Sequence, residues 1–290
     1  MTGPLLSVEN LSARAARGGG APILRNVGLT LDSGKVMGLI GESGAGKSTV
    51  AKAILGILPA GVAVTSGRIL FEGQDLAGLG EKALRRIWGE DIALVPQDPM
   101  TALNPARRIG AQLTDGLRLR RGLSARDAES RALALLEEVQ IRDPERVLRA
   151  YPHQLSGGMR QRVLIASAFS LEPKLVIADE PTTALDVTVQ KQILRLIRAM
   201  QARHGTAVLF VTHDLGVVAK VCDCVTLLYM GKVMAQGDTR EVLVEPQNAY
   251  VRALLAASPR YDRPGHEFAP VPESVFDAMR AEILADEAST

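Results

Sequence analysis

The stretch that decides the fold is an apolar run, Val36–Ile40, followed directly by Gly41-Glu42-Ser43-Gly44-Ala45-Gly46-Lys47-Ser48. A helical pattern then continues to Leu55. The glycines let successive backbone N–H groups turn inward around phosphate oxygens, and the helix that follows directs its positive end at the same oxygens. This strand–loop–helix order is the context that a P-loop requires, and it predicts a nucleoside triphosphate site.

The side chains of the loop carry separate predicted roles. Lys47 supplies a positive charge to the β- and γ-phosphates, and the Ser48 hydroxyl is a predicted ligand of Mg²⁺. A plain glycine-rich turn is the alternative, but a chance match at the four fixed positions in a chain of this length is roughly 1 in 100. ATP and Mg²⁺ are the predicted cofactors, and the predicted nucleotide contacts here are Gly41, Glu42, Ser43, Gly44, Ala45, Gly46, Lys47, Ser48 and Thr49.

A second sequence element, which is acidic, limits the reactions that the predicted phosphate site can carry out. The apolar run Leu175–Ala178 ends in two adjacent carboxylates, Asp179 and Glu180. Asp179 at the strand terminus is a predicted ligand in the Mg²⁺ shell, and Glu180 is predicted to orient and polarise an attacking water. Taken alone, the pair would be a charged strand end that enters a turn at Pro181. Together with the P-loop it predicts ATP hydrolysis.

Composition excludes several other classes of protein. The chain has 290 residues, 47% of them hydrophobic, which is enough to form a core. Its net charge of +2 is too small to attract nucleic acid strongly. Its start lacks the pattern of a secretory signal, and no apolar run approaches the ~20 residues that span a bilayer. Cys222 and Cys224 are too few for a disulfide framework or an unaided zinc site, which favours a reducing cytosol. Any membrane role is therefore expected to come through a partner.

The order of patterns predicts an α/β fold with an antiparallel part and a helical insertion. Leu6–Leu11 and Ile23–Leu31 are predicted antiparallel strands, and between about Gln97 and Leu155 helical patterns replace strands; one of them, Ala125–Val139, places Leu133, Leu136 and Val139 on one face. Apolar runs hydrophobic on both faces indicate buried, largely parallel strands. These runs are Val36–Ile40, Ile92–Val95, Leu175–Ala178, Ala207–Val211 and Val225–Tyr229.

The C-terminal part is predicted to form an extension. A helix-like stretch runs from Asn248 to Ala257, a proline-punctuated tail follows, and a short amphipathic helix closes the chain from Glu273 to about Glu287. We therefore predict an ATPase domain over residues 1–257, with a helical subdomain inserted at about 97–160, and a C-terminal extension over residues 258–290.

Further motifs resemble those of the ABC transporter ATPases, in the order typical of that family. Leu155–Arg162, which reads Leu-Ser-Gly-Gly-Met-Arg-Gln-Arg, is similar to the signature motif and lies about twenty residues before the acidic strand. Gln97 matches the glutamine loop, Ala184-Leu185-Asp186 the aspartate loop and His213 the switch histidine. The resemblance implies a P-loop NTPase domain with a RecA-like core, an antiparallel β subdomain and an inserted helical subdomain.

The resemblance also implies a site shared between two subunits. In these ATPases two nucleotide-binding domains close head to tail, so that the signature of one caps the ATP on the P-loop of the other. Gln97, Glu180 and His213 are then the predicted catalytic residues, and Gln97 also senses the metal. The implied contacts to a partner's nucleotide are Ser156, Gly157 and Gly158, and Gln161 and Asp186 are further implied nucleotide-binding residues.

A narrower resemblance is to the subfamily that imports dipeptides, oligopeptides and nickel. It rests on Pro96–Pro105, Tyr151–Gln154, Pro181–Gln190 and Asn248–Leu255, although the usual His-Pro-Tyr opening of the last segment is here Asn-Ala-Tyr. It implies a homologous but different ATPase as partner, two transmembrane permease subunits and an extracytoplasmic solute-binding protein. The implied location is peripheral, at the cytoplasmic face of the bacterial inner membrane, with peptide, nickel or another small solute as cargo.

The sequence departs from the family at two places. The family's adenine-stacking aromatic aligns with Ala15, and no aromatic residue occurs between Met1 and Leu70. We therefore hypothesise that Arg14 or Arg17 covers the base, or that the phosphates alone hold the nucleotide. Some relatives carry a C-terminal cysteine cluster for an iron–sulfur centre, but no cysteine follows Cys224, so no cluster is expected.

Two other functions compete with transport. A non-transport ABC ATPase that acts in DNA repair or on ribosomes would usually show tandem cassettes, a coiled-coil or zinc insertion, or strongly basic arms, and we see one cassette and none of these. A P-loop kinase would need a pocket for an acceptor substrate, and the signature motif argues against it. Both stay remote alternatives to an importer ATPase.

Overall fold

The computed structural model describes residues 3–16, 20–183, 185–257 and 272–288. The chain divides into two compact units, which are described separately. The first contains the acidic strand and the signature motif, and the second contains the P-loop and His213. Unit 1 comprises Met1–Ser7, Thr30–Val36 and Ile69–Val211, and unit 2 comprises Val8–Leu29, Met37–Arg68 and Thr212–Thr290.

The described residues contain the following strands: Leu6–Ala15 (β1), Pro22–Leu31 (β2), Val36–Gly41 (β3), Val62–Phe71 (β4), Gln74–Asp75 (β5), Ile92–Val95 (β6), Leu175–Asp179 (β7), Ala207–Thr212 (β8), Cys224–Tyr229 (β9) and Lys232–Asp238 (β10). The α-helices are Lys47–Ile54 (α1), Glu81–Arg86 (α2), Pro99–Ala102 (α3), Ile109–Arg121 (α4), Ala125–Glu138 (α5), Pro144–Arg149 (α6), Gly157–Phe169 (α7), Val187–His204 (α8), Leu215–Val221 (α9), Thr239–Leu243 (α10), Ala249–Ala257 (α11) and Glu273–Ala288 (α12).

Unit 1 contains the parallel strands that position the acidic pair. Strand β7 pairs in parallel with β6 on one side and with β8 on the other. Its residues Leu175 to Ala178 are fully buried, as expected for a strand covered on both faces. The register places Asp179 opposite Val211, at the carboxyl end of the strand. Parallel α/β sheets bind their ligands at this end. The acidic pair therefore lies at the end of the strand where a ligand is expected.

Unit 2 holds the strand that leads into the P-loop. Strand β9 pairs in parallel with β3 and antiparallel with β10, and Gly41 lies opposite Leu228. Strands β2, β1 and β4 are neighbours in that order in a second sheet. The Ala15 amide donates to the Ala21 carbonyl where β1 turns into β2, and so short a connection between neighbouring strands joins an antiparallel pair.

Two strands of this unit have no counterpart among the predicted ones. In β4 the residues from Val62 to Arg68 are exposed or half-buried, and the residues of β10 are likewise half-buried or exposed. Neither strand therefore contains the continuous apolar run that marks a buried strand. Their pairing partners, and not their own hydrophobic pattern, place them in the sheets.

Between β6 and β7, all of which the structure describes, the regular elements are helices. Short polar side chains fix where several of them start: Ser124 caps α5, Asp143 caps α6 and Ser156 caps α7, each by accepting a backbone N–H of the first turn. The predicted helix at Ala125–Val139 is α5. Its buried face differs from the predicted one, because Ala128, Ala132, Leu135, Leu136 and Val139 are buried while Leu133 is half-buried.

The two helices predicted near the C-terminus are present. Helix α11 ends at Ala257 and α12 begins at Glu273, as the sequence pattern indicates. The predicted extended tail falls mainly on residues 258–271, outside the described residues. Cys222 and Cys224 are both half-buried, and Cys222 packs against the core cluster of unit 2. No helix among the described residues is both long and apolar enough to cross a bilayer.

Candidate nucleotide site

The phosphate loop has a backbone that only glycine can follow at two positions. Gly41 has a φ of +152°, and a Cβ there would lie 2.2 Å from the Leu228 carbonyl oxygen. Gly46, which immediately precedes α1, has a φ of +99°, and a Cβ there would lie 2.7 Å from Leu24 Cδ2. At Gly41 both the backbone conformation and the lack of space exclude a side chain, and at Gly46 the backbone conformation disfavours one. The loop therefore presents its backbone, not side chains, at these points.

Lys47 is folded back against the loop. The residue is only 5% exposed, and its Nζ donates to the carbonyl oxygens of Gly41 and Glu42, both at 2.8 Å. A buried ammonium needs such acceptors because burial without them is costly. Ser48 and Thr49 are half-buried in the first turn of α1, while Ser43 and Gly44 are exposed at the tip of the loop.

Neighbouring backbone holds the loop in place. The Ala45 carbonyl accepts the Gly231 amide at 3.0 Å, and the Ala45 amide donates to the Glu42 carbonyl at 3.1 Å. The guanidinium of Arg25 in turn donates to the Met230 carbonyl, in the turn between β9 and β10. The loop is thus held both by a hydrogen bond within it and by one from the turn between β9 and β10.

The acidic strand of unit 1 holds Glu180 in an unusual backbone conformation. Its φ is +43°, which non-glycine residues rarely adopt, and its amide donates to the Val211 carbonyl at 2.9 Å. The carboxylate oxygen Oε2 accepts from Gln97 Nε2 at 2.9 Å and from Thr183 Oγ1 at 3.0 Å. Strained positive-φ residues are concentrated at functional sites. Two donors on one oxygen fix the orientation of this carboxylate.

The signature motif forms the start of helix α7. Ser156 is the N-cap, and its Oγ accepts the Met159 amide at 3.3 Å. A Cβ at Gly158 would lie 3.1 Å from Val189 Cγ1, so the glycine lets α7 approach the first turn of α8 closely. The helix has 13 residues, and its N-terminal N–H groups and positive dipole end favour an anion.

The aspartate-loop residue Asp186 caps helix α8. One carboxylate oxygen accepts the amides of Thr188 and Val189, both at 3.0 Å. This is a structural role that the sequence motif did not predict. The aspartate fixes where α8 begins, in the segment against which the signature glycines pack.

His213 lies just after β8, in unit 2, and its side chain is exposed. The next residue, Asp214, caps α9 by accepting the Val217 amide at 3.0 Å, and its own amide donates to Thr212 Oγ1 at 3.1 Å. The structure therefore brings Gln97 and Glu180 together in unit 1, and it groups the phosphate-loop residues in unit 2. Thr183, which the motif analysis quoted without a role, joins the first group.

Comparison with known proteins decides the family. Residues 24–183 match the family described as ABC transporter. The chain belongs to this family. Among its relatives, the peptidoglycan transport ATP-binding protein YejF of Agrobacterium fabrum is 49% identical over 91% of this chain and 48% of that protein. The chain therefore spans about half the length of that relative.

Other ABC relatives match over most of their own length. The probable D,D-dipeptide transport ATP-binding protein DdpD of Escherichia coli is 46% identical over 95% of this chain and 84% of that protein. The dipeptide transport ATP-binding protein DppD of Bacillus subtilis is 45% identical over 92% of this chain and 80% of that protein. The predicted resemblance to peptide-transport ABC proteins is confirmed.

Solved ABC structures have the same fold. A dimeric ATP-binding cassette in a post-hydrolysis state with ADP and Pi gives a TM-score of 0.71 at 28% identity, over 81% of this chain and 99% of that chain. The structure of cbiO1 from Clostridium perfringens, part of the ABC transporter complex cbiONQ, gives 0.73 at 30% identity, over 84% and 92%. The predicted α/β fold class and the prediction of an ABC-type ATPase are confirmed.

The position of the missing ABC aromatic is at the end of β1. Ala15 is half-buried there, and the neighbouring Arg14 is exposed, with Nη1 donating to the Gly20 carbonyl at 3.3 Å. Arg17 lies outside the described residues. The hypothesis that an arginine covers adenine stays a prediction.

A tyrosine at position 15 is expected to strengthen ATP binding. Because an aromatic contact contributes about 1 kcal/mol, the Kd for ATP should fall about fivefold in Ala15→Tyr. A fluorescence titration measures it, with Ala16→Tyr, at the exposed neighbouring position, as the matched control. No gain in affinity, or an equal gain in both variants, would mean that the base lies elsewhere.

Gln161 of the signature helix, a predicted nucleotide contact, does not lie at the protein surface. It is 0% exposed, and neither amide atom of its side chain has a hydrogen-bond partner among the described residues. A nucleotide contact by this side chain would require the helix to rearrange, so the predicted contact stays a prediction. Its burial was not foreseeable from a polar residue in a signature motif.

Replacement of Gln161 by methionine is expected to stabilise the fold. A buried amide without a partner destabilises the folded state, so the free energy of unfolding should rise by about 1 kcal/mol in Gln161→Met, measured by urea denaturation. The isosteric Gln161→Glu should be less stable than the parent, because a charge is costly to bury. A loss of stability in Gln161→Met would show that the amide is satisfied.

Proposed function

We propose that this chain is the ATP-binding and ATP-hydrolysing subunit that powers an ABC importer of dipeptides or oligopeptides. The observation that carries the hydrolytic part is the Glu180 carboxylate, held by Gln97 and Thr183 at the carboxyl end of a buried parallel strand. A chain that bound ATP without hydrolysing it would have no need of an oriented carboxylate in this position.

Nucleotide binding falls to the loop from Gly41 to Thr49. Its N–H groups and the N-terminus of α1 face the phosphates, and Lys47 exchanges its two carbonyl acceptors for phosphate oxygens. The exchange keeps the ammonium paired throughout. The small side chain of Ala15 offers little surface for contact with adenine, so the phosphates supply most of the affinity for ATP.

The residues proposed for Mg²⁺ have the right donor chemistry. Ser48 offers a hydroxyl, Asp179 a half-buried carboxylate at the end of β7, and Gln97 an amide oxygen. Mg²⁺ binds hard oxygen ligands, usually one or two from the protein with the rest from phosphates and water. When bound, the metal would neutralise charge that develops on the phosphates.

Glu180 is the proposed general base for the attacking water. The hydrogen bonds from Gln97 and Thr183 orient its carboxylate. His213 is proposed to hold the phosphoryl group that is transferred. Gln97 thus contacts Glu180, the proposed general base, and precedes the helical segment between β6 and β7. Through Gln97 this segment can respond to whether the nucleotide is bound or hydrolysed.

The signature residues act on the nucleotide of a partner subunit. Ser156, Gly157 and Gly158 stand at an exposed helix N-terminus, where a γ-phosphate finds N–H donors. Gln161 and Asp186 are proposed as further nucleotide contacts. Asp186 also caps α8, and the buried Gln161 would reach a nucleotide only after the helix rearranges. We propose that the partner is a homologous, different ATPase, so that the two composite sites are unequal.

The transported solute is inferred from the relatives. Proteins named for dipeptide and oligopeptide transport match this chain at 40–46% identity over most of its length. We propose two permease subunits and an extracytoplasmic binding protein as partners, and a peripheral position at the cytoplasmic face of the bacterial inner membrane. Residues 1–257 form the proposed ATPase domain, with the helical subdomain at about 97–160 and the extension from residue 258.

Reconstituted transport tests the proposal. The chain is co-purified with the ATPase, permeases and binding protein encoded beside it, and ATP-dependent uptake into proteoliposomes is measured with a dipeptide, an oligopeptide and Ni²⁺. We expect peptide uptake that Glu180→Gln abolishes. Uptake of Ni²⁺ alone would contradict the cargo, and ATP turnover without uptake of any solute would contradict the importer.

A further inference from the structure

Arg162 of the signature helix α7 connects three helices of unit 1. The residue is half-buried. Its Nη1 donates to the Val139 carbonyl at 2.6 Å, and its Nη2 donates to Gln192 Oε1 at 3.0 Å. Gln140 Oε1 is a more distant acceptor, at 3.4 Å. The two arms of one planar guanidinium therefore reach the end of α5 and the side of α8 from α7.

The contact with Val139 supports the end of helix α5. Val139 is the C-cap of that helix and is 0% exposed. Carbonyl groups at a helix end lack a donor within the helix, and a buried one needs a partner from elsewhere. The next residue, Gln140, has a φ of +60° and turns the chain away from the helix. Arg162 thus supplies a charged donor to the point where α5 ends.

The contact with Gln192 is one of two successive contacts between α7 and α8. The first is the close approach of Gly158 to Val189, where a Cβ on the glycine would lie 3.1 Å from Val189 Cγ1. Arg162 lies four residues after Gly158, and Gln192 lies three residues after Val189. Residues at these spacings share one face of a helix. Packing at one turn and a hydrogen bond at the next therefore hold the N-terminal half of α7 against α8.

The start of α7 needs support of this kind for its proposed role. Ser156 accepts the Met159 amide and so shapes the first turn of the helix from within. That bond does not determine where the turn stands relative to α5 and α8. N–H donors stabilise an anion best when their positions are fixed before it binds. Arg162, one turn further along α7, provides the link to both neighbouring helices.

We propose that Arg162 is a positioning residue for the ATPase reaction, which holds the signature end of α7 in place and so sets the ATP concentration at which two ATPase subunits close. It acts without a contact to the nucleotide. The inference rests on the proposed composite site, in which this signature serves the nucleotide of a partner subunit. The affinity of the chain's own phosphate loop should therefore not depend on Arg162.

The test follows closure in the assembled transporter, by energy transfer between labels on the two ATPase subunits as a non-hydrolysable ATP analogue is added. Arg162→Met and Gln192→Leu should each raise the half-closing concentration about twofold to thirtyfold, the range for residues that couple sites through a network. Arg162→Lys, which keeps the charge but not the fork, should have an intermediate effect. Arg195→Met, at an exposed arginine of α8, is the matched control and should change nothing.

Two further measurements separate positioning from a general loss of structure. The Kd of the isolated chain for the analogue should stay at the parental value in Arg162→Met and Gln192→Leu. In the double variant, Gln192→Leu should add little to Arg162→Met, because the two substitutions remove the same hydrogen bond. Should Arg162→Met fail to fold, Gln192→Leu at its exposed position and Arg162→Lys decide the question.

The inference is overturned if Arg162→Met or Gln192→Leu closes at the parental concentration, or if the effects of the two add in full. It is also overturned if Arg195→Met has an equal effect, or if the Kd of the isolated chain rises by the same factor.

Ser156→Glu distinguishes failure of this inference from failure of the proposed composite site. Its carboxylate would repel the γ-phosphate of the partner's nucleotide, so closure should be lost. Parental closure in Ser156→Glu would refute the composite site itself. Loss of closure in Ser156→Glu together with parental closure in Arg162→Met would refute only the role of Arg162.

Discussion

Replacement of Glu180 by glutamine is expected to reduce ATP hydrolysis by about two to four orders of magnitude, the usual contribution of a general base. Glutamine keeps the length of the side chain and an oxygen that can accept from Gln97 and Thr183. It has no carboxylate to accept the proton of the attacking water. ATP binding should therefore be retained, and the variant should accumulate as a closed, ATP-bound complex with its partner ATPase.

The measurement compares steady-state phosphate release with the Kd for ATP in the assembled transporter. Glu137→Gln, an exposed glutamate of α5 in the same unit, is the matched control and should keep parental turnover. Normal turnover in Glu180→Gln would refute its assignment as the base. A parallel loss of ATP binding would show that the substitution had disturbed the site itself.

Replacement of Lys47 by alanine is expected to weaken ATP binding about tenfold to a hundredfold. Hydrogen bonds that involve a charged group contribute about 1.5 to 3 kcal/mol, and each 1.4 kcal/mol is a factor of ten in Kd. The variant also leaves the carbonyls of Gly41 and Glu42 without the ammonium that joins them. The loop should therefore lose both its positive charge and part of its internal support.

Titration of the variant with ATP and with ADP tests the reason for this loss. Lys47 is assigned to the β- and γ-phosphates, so the affinity for ATP should fall more than the affinity for ADP. Lys52→Ala, an exposed lysine in the last turn of the same helix, should change neither. Equal affinity of Lys47→Ala and the parent chain would exclude the predicted role.

Local patterns predicted the elements that carry the chemistry. The P-loop was recognisable because its glycines, lysine and serine must follow in fixed order between a strand and a helix, and the structure has that strand and that helix at β3 and α1. The acidic pair was recognisable because buried parallel strands are continuous apolar runs, so their polar ends stand out. The helix start at Ser156 is also a local property, since a cap is satisfied within one turn.

The surroundings of these elements could not be predicted in the same way. Thr183 and Gln97 share one oxygen of Glu180, although Gln97 is far from them along the chain. The burial of Gln161 depends on what packs against α7, and the sequence pattern of a signature motif contains no information on that. Strand β4 lacked an apolar pattern because most of it remains exposed after pairing.

The sequence by itself determined the site for phosphates and metal, because their binding needs particular residue types at short, fixed spacings, and the signature motif carried the resemblance to the ABC ATPases. Only the tertiary structure decided how the carboxylate of Glu180 is oriented and that the side chain of Tyr250 lies buried. Such contacts join residues that are distant along the chain. They depend on packing and strand register, which no short stretch of sequence specifies.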